Sequence, residues 1–199
     1  MTAYDDFLNF FSMHGKERLD GLGVDYFTAM TREEREKAFD FLWARIERAG
    51  SEESIHGLFR ANHERAIEPV RRLLEAGTLS GEAQIAAAWH LWAVQPDDRL
   101  LAVFIRFMGS PDQDLREKAA YYAPAIKLTG EYKSALQRMI CTETEQLARI
   151  HAVDKLLECH GISRESIGKA DFSSIYKGLH SADPGTREMT LKRVDELRS

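Results

Sequence analysis

Cysteine, proline and long apolar runs are all scarce in this chain of 199 residues. Two cysteines, Cys141 and Cys159, cannot form the disulfide framework that holds small secreted domains together, and a reduced, partly buried thiol is the expectation for each. The longest uncharged apolar stretches, such as residues 85–88 and 100–105, fall far short of the ~18 residues a membrane helix needs. Near the start, where a secretory leader carries positive charge, stand Asp5 and Asp6. These absences predict a cytoplasmic protein with no membrane partner. Positive charge is also in deficit: 27 lysines and arginines face 32 acidic residues, a formal net charge of −5. That balance argues against a nucleic-acid binder that works by neutralising phosphates, although a local basic strip escapes such an average.

Signatures of catalysis and metal binding are missing as well. No serine is framed as Gly-x-Ser-x-Gly, and no Cys-x-x-Cys or His-Glu-x-x-His pair fixes a zinc geometry for Cys141, His151, Cys159 and His160. Glu53-Ser54-Ile55-His56 has the Glu-x-x-His spacing of di-iron carboxylate bundles, but those sites need two such pairs plus two further glutamates, and there is no second pair. Gly21-Leu22-Gly23 lacks the third glycine and the lysine of a phosphate loop, and the flanking Asp20 and Asp25 supply too few oxygens for calcium. The sequence therefore predicts no catalytic residue, no metal and no cofactor.

What the chain does have is helical periodicity from end to end, with almost no strand signal. In residues 31–49, Thr31 and Glu34 form a capping box, Phe39, Leu42, Trp43 and Ile46 fall on one face, and Gly50 closes the helix. The spacing recurs in Ile85, Ala88, Trp89 and Trp92, which reads as a core stripe; in Leu115, Ala119, Tyr122, Ala123 and Ile126; and in Tyr132, Ala135, Leu136 and Met139. Further helices are predicted over 52–62, 63–76, 97–108, 143–160, 171–180 and 184–198. Only short punctuators separate them, so a single domain spanning 1–199 is expected: a cap over 1–30, then stacked helical hairpins over 31–199. Tyr4, Phe7, Phe10, Phe11, Tyr26 and Phe27 give the cap enough aromatic surface to close one end of a core.

Ala88, Ala120 and Ala152 recur at 32-residue intervals, and Leu115 and Leu147 keep that register. The segment Ser110-Pro111-Asp112-Gln113-Asp114-Leu115-Arg116-Glu117-Lys118-Ala119-Ala120 resembles the start of the first helix of a HEAT repeat. Asp183-Pro184-Gly185-Thr186-Arg187-Glu188-Met189-Thr190-Leu191 is similar, and residues 142–152 are a weaker copy. Pro124 falls inside the helix that Pro111 opens, where the family's first helix is commonly kinked. The longer interval from Ala152 to Leu191 makes residues 161–169 an inserted loop. The resemblance implies an all-α fold, a short HEAT-like superhelix of about five helix pairs, in which hairpins that cannot bury both faces alone stack on their neighbours.

In such an array the second helix of each pair lines the concave side. Those helices carry nine basic against seven acidic residues, while the first helices and the first 30 residues hold the acidic excess. Arg65, Arg71, Arg72, Arg99, Arg106, Lys133 and Arg138 are therefore candidates for a mildly basic binding strip, and Asp5, Asp6, Asp20 and Asp25 for an acidic N-terminal face. Arginine outnumbers lysine 18 to 9. The chain is similar in these respects to small bacterial solenoids that act as immunity proteins against a cognate toxin, which implies a non-enzymatic protein-binding function. Two other functions are implied by the resemblance: a scaffold or assembly factor, and a HEAT-like DNA glycosylase acting on alkylated bases, with Trp89, Trp92 and Asp97 or Asp98 in its groove.

Overall fold

Thirteen α-helices and no strand are found among the described residues of the computed structural model, which are residues 2–13 and 21–197. They form two compact units, Met1–Pro96 and Asp97–Ser199.

The first unit begins with α1 (Ala3–Ser12) and α2 (Asp25–Thr28), which pack on each other; α1 also packs on α3 (Arg32–Ala49). A capping box starts α1: Asp5 N–H donates to Thr2 Oγ1 at 3.1 Å, and Thr2 N–H to the Asp5 carboxylate at 2.8 Å. The box expected at Thr31 and Glu34 starts α3 in the same way. Phe7, Phe10 and Phe27 are buried, and the Phe7 and Phe11 rings meet Phe41 of α3 at 5.6 and 5.2 Å, so the N-terminal aromatics pack inward. Next come α4 (Glu52–Ala61), α5 (His63–Glu75) and α6 (Gly81–Val94). Helix α4 lies against α3, α5 and α6. At Gly57 α4 and α3 come close: a Cβ there would stand 2.8 Å from a Leu42 methyl and 2.9 Å from a Leu22 methyl, and those side-chain ends would have to shift to admit it.

Helix α6 buries Ala83, Ile85, Ala86, Ala87, Ala88 and Leu91. The core stripe expected to include both tryptophans needs correcting, since Trp89 is 41% exposed and Trp92 only half-buried. Trp89 stands outside the buried set of α6, edge-on to His56 and His90 at 5.6 and 4.6 Å.

The second unit consists of α7 (Asp98–Phe107), α8 (Gln113–Tyr122), α9 (Gly130–Thr142), α10 (Gln146–Cys159), α11 (Arg164–Ile167), α12 (Lys169–Leu179) and α13 (Pro184–Glu196). Alternate helices pack together, α8 with α10 and α7 with α9, as do the sequential neighbours α7–α8, α9–α10 and α12–α13; α13 also lies on α9. Ala120 and Ala152 of the 32-residue register are fully buried, as is Ala88 in the first unit. Leu147 departs from that register at 50% exposed.

Three boundaries differ from expectation. Helix α8 ends at Tyr122 instead of running through a kink at Pro124, because a residue before proline avoids the helical region, and Ala123 accordingly turns to ψ 141°. Helix α10 starts at Gln146 rather than residue 143: the Glu143 carboxylate turns back to accept the N–H groups of Thr144 and Glu145. The 161–169 segment is not wholly loop, since Ser163 caps the single turn α11.

One device recurs in this unit. Arg116, Arg149 and Arg187 each donate an Nη1–H to the carbonyl six residues earlier, those of Ser110, Glu143 and Ser181, at 3.0, 3.0 and 2.7 Å. Each arginine thus folds the turn before its helix back onto the helix body.

Candidate functional site

The cations expected to form a basic strip are mostly spent on nearby groups. Arg65 reaches Glu36 at 2.6 Å and Asp40 at 2.7 Å on α3 while its guanidinium lies 4.0 Å above the Phe39 ring. Arg72 pairs with Glu68 at 3.2 Å, Arg99 with Asp97 at 2.7 Å, and Lys133 with Asp195 at 2.8 Å. Arg106 stacks on Phe107. Arg71 and Arg138 have no carboxylate partner among the described residues; Arg138 borders a cleft of about 290 Å³ that also takes in Arg116 and Glu143.

Of the acidic candidates, Asp5 is held as a cap, and the hydrogen bonds from the Thr2 backbone and hydroxyl keep its carboxyl below the usual range. Asp6 and Asp25 border a shallow cleft of about 220 Å³ with Ala3, Tyr26 and Ala29. Asp20 lies outside the described residues.

A different site in the first unit was not found by sequence reasoning. A cleft of about 550 Å³ opens where α3 begins, α4 ends and α5 begins, and among its lining residues are Arg32, Arg35, Arg60 and His63 against Glu36 and Glu64. Arg35 Nε–H donates to the Phe27 carbonyl at 3.0 Å, and Arg60 donates to the Leu22 carbonyl. Glu36, the nearest acid on α3, is occupied by Asn62 Nδ2–H at 2.8 Å and by Arg65. Asn62 also caps α5, its Oδ1 accepting from Arg65 N–H at 3.1 Å. The signal in the sequence was Arg32, Arg35 and Glu36 at helical spacing on the first turns of α3; nothing in the sequence said that the α4–α5 turn would face them.

A file of rings leads from this cleft to the exposed Trp89. Phe59 and His63 line the cleft with centroids 5.4 Å apart, His90 stacks flat on Phe59 at 4.1 Å, and Trp89 meets His90 edge-on at 4.6 Å. His56 Nδ1 and His90 Nε2 are hydrogen-bonded at 2.9 Å. Burial pushes the His90 imidazole down to about 3, helped by the nearby charges of His56, Arg60 and His63. Glu52 stands 3.5 Å from His56 Nε2. Among the described residues no three His, Cys, Asp or Glu groups gather as metal ligands. Burial raises both cysteine thiols, which makes them poor nucleophiles.

A comparable aromatic and histidine pair occurs in the second unit. Tyr121, which follows Ala120 as Trp89 follows Ala88, is 58% exposed and packs 5.0 Å from His151 of α10. No described helix is long and apolar enough to cross a membrane. Compared with known proteins, the chain matches no family model, no curated protein and no solved structure.

Proposed function

We propose that this chain is a non-enzymatic protein-binding solenoid of the HEAT-like kind, built of about five helix pairs and an N-terminal cap. Alternate-helix packing within each unit supports the repeat reading, as do the arginines of α8, α10 and α13 that each reach back six residues to the turn before their helix. The observation that carries the binding function is the pair Trp89 and Tyr121. Each is a large aromatic left outside an alanine-lined seam and braced edge-on by a histidine of the helix packed alongside. Rigid tryptophan and tyrosine side chains dominate the energetics of protein interfaces. The narrower form of this reading is an immunity protein that neutralises a toxin in the cytoplasm; a scaffold differs from it only in the partner.

The test is affinity capture with the full chain from its native cell. One protein recovered in stoichiometric amount by the native chain, and lost with Trp89→Ala or Tyr121→Ala, is the expected result. Recovery unaffected by both variants removes the support for this reading. The same exposure of Trp89 favours one second reading, a DNA glycosylase for alkylated bases. Release of alkylated adenine from duplex DNA, abolished by Trp89→Ala, would establish that activity in place of the first.

A further inference from the structure

We infer that the exposed stripe of α10, from Leu147 beside Tyr121 to the cleft over Phe172, docks a basic amphipathic helix of the partner protein. The inference rests on the protein-binding reading and adds to it the site and the chemistry of what docks. Leu147, His151, Asp154 and Glu158 follow one another at helical spacing, so they lie along one side of α10 for about 16 Å, or about three turns. One end of this stripe is apolar: Leu147 and Tyr121 are 50% and 58% exposed, and the Tyr121 ring packs on His151. The other end, at Asp154 and Glu158, borders a cleft of about 570 Å³ formed with α11 and the start of α12. Buried Leu157 and Ile162 and the half-buried Phe172 give that cleft an apolar floor. Its charged lining is acidic, with Asp154, Glu158 and Glu165 against Arg164 alone. Glu158 pairs with Lys155 at 3.0 Å, Arg164 leans over the Phe172 ring at 5.7 Å, and Asp154 accepts from the Tyr176 hydroxyl, a neutral donor. Three carboxylates against Arg164 and Lys155 therefore leave one net negative charge on the cleft. An exposed apolar strip that ends among such carboxylates matches a helix carrying apolar side chains on one face with lysine or arginine beside them. The overall charge of −5 attracts such a partner at long range.

Fluorescence anisotropy of the full chain with a labelled fourteen-residue amphipathic helical peptide of leucine and lysine tests this. It is run alongside a leucine and glutamate peptide of the same pattern and a leucine and lysine peptide of scrambled order. The expected result is saturable binding of the patterned lysine peptide that falls at least tenfold with Leu147→Ser and with Asp154→Lys, both exposed positions. Glu75→Lys, an equal charge change at the end of α5, should leave it unaltered. Equal losses with Glu75→Lys, equal affinity for the glutamate or the scrambled peptide, or no binding of the patterned lysine peptide overturns the inference. Partner capture that still depends on Trp89 or Tyr121 but not on Asp154 leaves the protein-binding reading standing and removes only this docking site; capture that depends on none of the three removes both.

Discussion

The imidazoles of His56 and His90 meet across the α4–α6 seam, Nδ1 to Nε2, at 2.9 Å. One nitrogen of that pair must donate and the other accept, so the bond exists only while at least one ring is neutral. His90 is the ring held neutral: burial, flat against Phe59, depresses its value from 6.5 to about 3.

The first prediction is a loss of stability on mild acidification. Between pH 6.5 and about 3 the unfolded chain binds a proton at this position that the folded chain refuses. Stability is therefore complete above 6.5 and falls as pH decreases, with a slope of up to about 1.4 kcal/mol per pH unit for one whole proton. Urea unfolding at pH 7 and pH 5 should show the decline, and His90→Gln should reduce its slope, the remainder coming from His180, which burial also holds below the ordinary imidazole value. Identical slopes for the variant and the native chain would refute the assignment.

The second prediction concerns Arg116 and Glu143. Their guanidinium and carboxylate meet at 2.5 and 3.0 Å, and the Glu143 side chain is only 3% exposed. The Arg116 hydrogen bonds hold the Glu143 carboxyl below its ordinary 4.5, aided by the N–H groups of Glu145 and Thr144. Removing Arg116 strands a buried charge, so Arg116→Ala should cost about 3–5 kcal/mol. Arg116→Ala combined with Glu143→Ala should cost less than the sum of the two single changes. The folded value lies below the unfolded one, so the pair's stabilisation is present above pH 4.5 and disappears as pH falls through the depressed value. Additive single and double variants in urea would show that the two side chains do not act together.

How far the sequence spoke for the structure depends on the range of the interaction. The capping box at Thr31 and Glu34, the α7 start at Asp97 and the Asp183-Pro184 start of α13 were legible because each is a local hydrogen-bond or steric rule within four residues. Pro124 was misread although its rule is equally local, since the family resemblance suggested a kink where the residue before proline simply ended the helix. Trp89 was misread because α6 is buried at Ala83, Ile85, Ala86, Ala87, Ala88 and Leu91, on more than one side, so its apolar spacing does not single out one core stripe. The arginine cleft depends on the 22–27 segment supplying carbonyls to α3 and α4, a pairing over as many as 38 residues that no spacing encodes.

The third prediction separates two glycines. At Gly57 a Cβ would meet only the ends of Leu42 and Leu22, which can swing, and alanine is favoured over glycine inside a helix by about 1 kcal/mol. At Gly178 it would stand 2.3 Å from Thr190 Oγ1 and 3.1 Å from Thr190 Cβ, in the packed α12–α13 contact. Gly57→Ala should stay within about 1 kcal/mol of the native chain, whereas Gly178→Ala should lose about 1–3 kcal/mol. That loss corresponds to roughly 2–4 °C in Tm per kcal/mol. Adding Thr190→Ala to Gly178→Ala removes the hydroxyl and methyl from the crowded site and should recover part of the loss. No recovery would place the fault in the α12 backbone instead.

The fourth prediction uses the buried arginine of α13. Arg187 is 5% exposed, and it donates Nη1–H to the Ser181 and Ala182 carbonyls and Nη2–H to the Cys141 carbonyl at the end of α9. Its charge sits at the negative end of the α9 dipole, so the one side chain ties the α12–α13 turn to the α9 C-terminus. Arg187→Met keeps most of the volume but leaves those carbonyls without their donor, at a cost of about 1–3 kcal/mol for each group left fully unsatisfied. Arg187→Lys retains the charge, but a single ammonium cannot span both loops as a fork does, so it should recover less than half of the loss. Hydrogen exchange should report faster opening at the last turn of α9 and the first turn of α13 together, with α8 and α10 unchanged. Acceleration confined to α13 would mean that the Cys141 contact carries no load and that the two helices are held together by their apolar faces alone.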